Sequence, residues 1–137
     1  MTENKAPSTD LASMLASSPL FETLPEAVRD NLLKKSETVT LAPGEMLIKE
    51  GEFNYHLYLL VRGSVRIETA GEAVATLGTG NVVGEISTTG LSTPVANVIA
   101  ETVIEAVAFP IEEINETALE YPVFAEKMRE IGMQRYT

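Results

Sequence analysis

The residues best suited to chemistry in this chain lie in one string, Gly80-Asn-Val-Val-Gly-Glu-Ile-Ser-Thr-Thr-Gly-Leu-Ser-Thr-Pro-Val-Ala-Asn97. It combines turn glycines, a single carboxylate (Glu85) and small hydroxyl side chains. Ser and Thr beside glycines suggest exposed backbone N–H groups that a phosphate or another acceptor can use. Glu85 would accept hydrogen bonds either from a ligand hydroxyl or from N–H groups of its own loop, and both readings stay open. Ser87 and Asn97 offer neutral hydrogen bonds to a ligand and are equally ordinary loop residues. A glycine-rich string without its structural context is also what a plain connection looks like.

Other constellations carry less. His56 is the sole histidine and there is no cysteine, whereas a metal site in a β-barrel needs several converging His and acid ligands. The Ser and Thr residues lack a plausible base, because His56 falls in a segment that reads as strand, away from any nucleophile motif. The pair Glu112-Glu113 is explained by the start of a helix, where carboxylates oppose the positive end of the helix dipole. No catalytic residue and no metal ligand is therefore assigned, and the chain is not read as an enzyme.

The elements that must position the string are legible from periodicity. Residues 1–9 read as a mobile polar tail, and Asp10 is placed to cap a short helix through about Ser17, with Leu11, Met14 and Leu15 at helical spacing. Pro19 ends it, and Leu20, Phe21 and Leu24 form a small apolar cluster. Pro25 suits a first helical position, and Glu26 to Lys35 continue that helix with its acid early and its lysines late. Domain organisation is thus a tail and short helix over residues 1–18, followed by a single domain over 19–137.

Strands follow at Thr38–Leu41, Met46–Lys49, Tyr55–Val61, Ser64–Glu68 and Ala73–Leu77, separated by Pro43-Gly44, Glu50-Gly51, Gly63 and a hairpin turn at Ala70-Gly71-Glu72. Val65 and Ile67 face one way; Ser64, Arg66 and Glu68 face the other. Two more strands lie between Val95 and Phe109, with a break near Thr102. Many short strands punctuated by glycine favour a roll or barrel. Pro110 opens a helix, Tyr121-Pro122 interrupts it, and a final helix spans about 122–134. Its apolar residues, Val123, Phe124, Met128 and Ile131 among them, suit core packing or a partner surface.

This order of segments resembles the cyclic nucleotide-binding domain family over about residues 20 to 135. The resemblance is carried by Pro43-Gly44-Glu45, Glu50-Gly51-Glu52, Val61-Arg62-Gly63, and Gly80 followed by Gly84-Glu85. It implies a mainly β fold with flanking helices: a jelly-roll-like antiparallel β-roll with N- and C-terminal helices. It also implies that the Gly80–Asn97 string is the phosphate-binding cassette. Gly84, Glu85, Ile86 and Ser87 match the family's Phe-Gly-Glu-[Leu/Ile]-[Ala/Ser] string, with Val83 in the Phe place. The resemblance gives Glu85 the ribose hydroxyl and the backbone N–H groups the cyclic phosphate.

The other half of the cassette departs from the family. The family ends it in Pro-Arg-Ala-[Ala/Ser]-Thr or similar, with the arginine on the phosphate. Here it ends Thr93-Pro94-Val95-Ala96-Asn97, and either Pro94 or Val95 stands in the arginine's place. No Lys or Arg occurs from Ile67 to Glu126. Arg62 and Arg66 read as solvated strand positions, while Lys127 and Arg129 could swing over the pocket from the last helix. Charge-assisted bonds are about twice as strong as neutral ones, and the formal net charge of −10 repels an anion at long range.

Composition bounds the rest. With 137 residues, 45% of them hydrophobic, the chain can fill a single core. The absence of cysteine fits a reducing cytosol, the start lacks a basic region followed by an apolar stretch, and no apolar run reaches the ~18 residues of a membrane span. Acidity argues against nucleic acid. The expectation is a cytoplasmic regulatory module with no resident cofactor, cAMP or cGMP being the ligands the resemblance implies. In the family the last helix often dimerises; taken as ending at Thr137, this chain would act on a separate effector protein or as a homodimer. Three readings stand: a module with lost or weak cyclic nucleotide binding that works by protein–protein contact, a working cAMP or cGMP receptor with a non-standard cassette, and a metal-free cupin-like barrel.

Overall fold

The computed structural model describes the backbone of residues 6–84 and 96–135 and the side chains of 11–84 and 96–132. Within them the order is α1 (Ala6–Ser17), a 3-10 turn (Phe21–Thr23), α2 (Glu26–Lys34), β1 (Glu37–Leu41), β2 (Met46–Ile48), β3 (His56–Arg62), β4 (Val65–Thr69), β5 (Glu72–Leu77), β6 (Val82–Val83), β7 (Asn97–Ala100), β8 (Ile104–Pro110), α3 (Ile111–Glu120) and α4 (Pro122–Arg135). The strands form two antiparallel sheets of four, ordered β1-β8-β3-β6 and β2-β7-β4-β5. This is the expected β-roll with helices on either side in sequence.

The two-residue period of β3 divides the interior. Leu57 and Leu59 point to a layer built with the helices, joined by Val107 and Phe109 of β8, Val82 of β6, and Leu15, Phe21, Ile114 and Phe124 from the helical segments. Tyr58 and Leu60 point the other way, into the roll, with Val65, Ile67, Val83, Val98 and Ala106. Three strands of the first sheet, β3, β6 and β8, thus feed two cores through alternate residues. Phe21 anchors the helical layer, its ring 5.1 Å from that of Phe109 and 5.8 Å from that of Phe124.

The turns follow their residue chemistry. Ala70 (φ 55°) and Gly71 (φ 83°) form a two-residue loop between β4 and β5, with both φ values positive as the primed hairpin turns require. Pro43-Gly44 is closed by Glu45, whose Oε1 accepts the Ala42 N–H at 2.8 Å. The Gly44 N–H then donates to the Ala100 carbonyl at 2.7 Å, tying this turn to β7. The break near Thr102 is present: Glu101 to Val103 separate β7 from β8, and Thr102 Oγ1 accepts the Ser64 N–H at 3.1 Å.

Several boundaries are corrected. The first helix begins at Ala6, so Asp10 lies inside it and does not cap it, and residues 6–9 are helical rather than tail. Pro7 falls in its first turn, where a missing N–H costs nothing. Pro25 is the extended N-cap of α2 (φ −61°, ψ 153°) and not its first helical residue, which is Glu26, and its carbonyl accepts the N–H groups of Val28 and Arg29. Pro110 likewise closes β8 and caps α3 instead of opening it. On α4 the buried line is Phe124 and Met128, with Ile131 partly buried, while Val123 is exposed.

Candidate functional site

The two ends of the candidate cassette come together on one feature, the turn between β2 and β3. At the leading end, Val83 pairs with Tyr58 and buries its side chain in the roll. Gly84 follows with φ 97°, a conformation side-chain-bearing residues rarely adopt. A Cβ at Gly84 would lie 2.7 Å from the His56 carbonyl oxygen and 2.8 Å from Asn54 Nδ2. Two independent constraints therefore select glycine here, and both concern how the cassette leaves the sheet. Asn54 stiffens the surface that Gly84 touches: its Nδ2 donates to the His56 carbonyl at 2.6 Å and its Oδ1 accepts the His56 N–H at 3.3 Å.

At the trailing end, Ala96 is buried in the roll interior and Asn97 starts β7. Asn97 Oδ1 accepts the Glu50 N–H at 2.7 Å, so its side chain pins β7 to the Glu50-Gly51-Glu52 turn. Of the sequence-predicted site residues, Gly84, Ala96 and Asn97 are thus gathered around the β2–β3 turn. Glu85, Ile86, Ser87, Pro94 and Val95 lie outside the described residues. Sequence reasoning missed Asn54; its only signal was its position in a turn of Gly, Glu and Asn.

Several cations of the described residues are paired with acids. Lys49, beside the turn, lies 3.5 Å from Glu52. Arg66 bonds Glu68 at 2.6 Å and approaches Glu101 at 3.9 Å, and Arg62 lies 3.4 Å from Glu105. On the last helix Arg129 bonds Glu126 at 2.6 Å, and Lys127 stands 3.7 Å from Glu130. Glu113, in the first turn of α3, meets Lys35 at 3.2 Å. No cluster of three or more potential metal ligands occurs among the described residues. His56 rests against Tyr58, ring centroids 5.7 Å apart.

Residues 38–121 match the family model described as the cyclic nucleotide-binding domain. Over 122 residues the chain is 26% identical to the potassium/sodium hyperpolarization-activated cyclic nucleotide-gated channel 4 of Homo sapiens, an alignment covering 89% of this chain and 10% of the channel. The chain therefore spans about a tenth of the length of that relative. Among solved structures it resembles the regulatory subunit of a cAMP-independent protein kinase A from Trypanosoma brucei (TM-score 0.81, 21% identity, 90% of this chain and 45% of that one). A mutant of that subunit, with a glutamate and a valine replaced by alanine and a threonine by arginine, is bound to cAMP in its A site (TM-score 0.79, 18% identity, 97% and 54% covered). The C-linker and homology domain of zELK channels, crystallised in the presence of cAMP, gives a TM-score of 0.72 at 26% identity, covering 96% of this chain and 70% of that one.

Proposed function

The chain belongs to the cyclic nucleotide-binding domain family, and from that premise we propose a regulatory module that binds cAMP and cGMP weakly or not at all and acts through protein–protein contacts. The observation that carries this reading is the missing counter-charge. Pro94 or Val95 stands where the family's arginine belongs, and no Lys or Arg occurs from Ile67 to Glu126. Lys49, beside the β2–β3 turn, and Arg66 on β4 already face carboxylates. The glycine side of the cassette suits a cyclic phosphate; the charge side does not. A desolvated phosphate without its charged partner loses about 2–5 kcal/mol, or roughly 30- to 3000-fold in affinity.

The trypanosome subunit supports the reading by analogy: it keeps this fold, is described as cAMP-independent, and is seen with cAMP in a mutant that gains an arginine. The proposed setting is cytoplasmic, with a separate effector protein or a homodimer through the last helix as the output; no described helix is long and apolar enough to cross a membrane. Calorimetric titration of the full chain with cAMP and cGMP at low salt tests the proposal. Silence up to millimolar ligand is the expected result. Micromolar or tighter binding would overturn it and make the chain a second-messenger receptor with a non-standard cassette.

A further inference from the structure

A cleft of 370 Å³ opens where the helical layer, through Leu20, Val82 and Ile131, meets Leu77 at the edge of the second sheet. That volume is within the roughly 300–1,000 Å³ of small-ligand sites. Its walls come from three parts of the chain: Pro19 and Leu20 after α1, Leu77 and Val82 at the β5–β6 connection, and Ile131 on α4. These five side chains make an apolar trough.

Polar groups in the lining include hydrogen-bond donors. Lys127 lines the cleft from α4, one turn before Ile131. It is the first cation in the sequence after Arg66. Its ammonium pairs with Glu130 at 3.7 Å, longer than a hydrogen bond, on a side chain 39% exposed, so a ligand carboxylate would compete with that half-exposed acid. Ser18 adds a second donor: its Oγ already accepts the N–H groups of Leu20 and Phe21, both at 3.3 Å, which leaves its own proton to give. An apolar trough with an ammonium and a hydroxyl donor matches a molecule that is apolar at one end and anionic at the other.

We infer that the cleft between α4 and the β5–β6 connection binds a small amphipathic carboxylate, with its hydrocarbon part on Leu20, Leu77, Val82 and Ile131 and its carboxylate on Lys127. The cleft takes in the first residues of the cassette string, Gly80, Asn81 and Val82, and lies ahead of the Gly84 turn, to which Val83 connects it. A molecule held there clamps α4 to the strand from which the cassette departs.

The test is a titration of the isotopically labelled full-length chain with octanoate, followed by two-dimensional amide NMR, with 1-octanol as the uncharged probe. Saturable shifts centred on Asn81, Val82, Lys127 and Ile131 are expected. Lys127→Met should weaken octanoate about tenfold, as loss of a charge-assisted bond does, while leaving octanol within about twofold. Ile131→Trp should fill the trough and weaken both probes. Shifts that do not saturate, shifts centred elsewhere, or equal weakening of both probes by Lys127→Met would overturn the assignment. Titration of the same sample with cAMP reads the cassette separately, so silence toward octanoate leaves the proposal of weak nucleotide binding untouched.

Discussion

Asn97 Oδ1 accepts the Glu50 N–H at 2.7 Å across a sequence separation of 47 residues. This bond ties the strand that leaves the cassette to the turn on which the cassette begins. Glu50 is exposed, so water can partly replace a lost partner. Asn97→Ala should therefore cost only about 0.5–1.5 kcal/mol, read as a fall in the denaturation midpoint with an unchanged slope. Asn97→Asp keeps the acceptor and should retain most of the stability. Equal losses in the two variants would assign the effect to something other than this bond.

Gly84→Ala should be the more damaging change at the other end. The new methyl meets the His56 carbonyl oxygen at 2.7 Å on a backbone with φ 97°, adding a clash to the strain of about 1–3 kcal/mol for such a conformation. Gly71 offers the comparison, since its φ of 83° is similar but nothing lies within 4 Å of a Cβ there. Denaturant titration of Gly84→Ala and Gly71→Ala should show the larger loss at Gly84. The reverse order would contradict the close approach of the cassette to β3.

Phe124→Ala probes the attachment of the last helix. The ring is fully buried beside Phe21, and removing it leaves a cavity that the two-sided layer cannot close. A loss of about 3–5 kcal/mol is expected, the range for a buried aromatic. A loss under about 1 kcal/mol would mean that α4 is not docked on the 3-10 turn.

Tyr58 gives the pH dependence. Burial pushes its hydroxyl above the ordinary value of 10.0, because the phenolate is the poorly solvated form. The contribution is complete below pH 10, where both folded and unfolded chains are neutral. Above it the unfolded chain ionises first, and stability falls until the folded pKa is passed. Melting at pH 9 and pH 11 should show a smaller alkaline loss in Tyr58→Phe than in the native chain. An equal loss would place the effect on other groups.

How much of this was legible in the sequence depended on whether neighbours in sequence decided the outcome. The alternation of Val65 and Ile67, the Ala70-Gly71 hairpin and the break at Thr102 are local, and all are present. The two-residue strand Val82–Val83 exists only through its pairing with Tyr58 and Leu59, so no periodicity could announce it. Helix starts failed at Asp10 and Pro25 for a related reason: a cap is defined by where the chain turns, and the residue types at both sites tolerate neighbouring positions. In the site, Gly84 was visible as a motif glycine, but the contact with His56 that requires it was not. Asn97 suits either a ligand or an ordinary loop role by residue type; that its oxygen is engaged by a turn 47 residues away is not legible in the sequence.

The last prediction concerns the empty place of the arginine. If the missing charge is what separates this chain from a nucleotide receptor, restoring it should restore affinity. Aligned on the strand that follows, Pro94 takes the arginine position; aligned on the proline itself, Val95 does. Pro94→Arg and Val95→Arg should therefore differ, with one raising cAMP or cGMP affinity by about 30- to 3000-fold, the range for a desolvated charge pair. Adding Glu85→Ala to the successful variant separates the two roles of that carboxylate. If Glu85 holds the ribose hydroxyl, affinity falls again while the melting temperature holds; if it fixes its own loop, stability falls as well. Failure of both arginine variants to gain affinity, with the fold intact, would show that the cassette does not lie where Gly84 and Asn97 frame it.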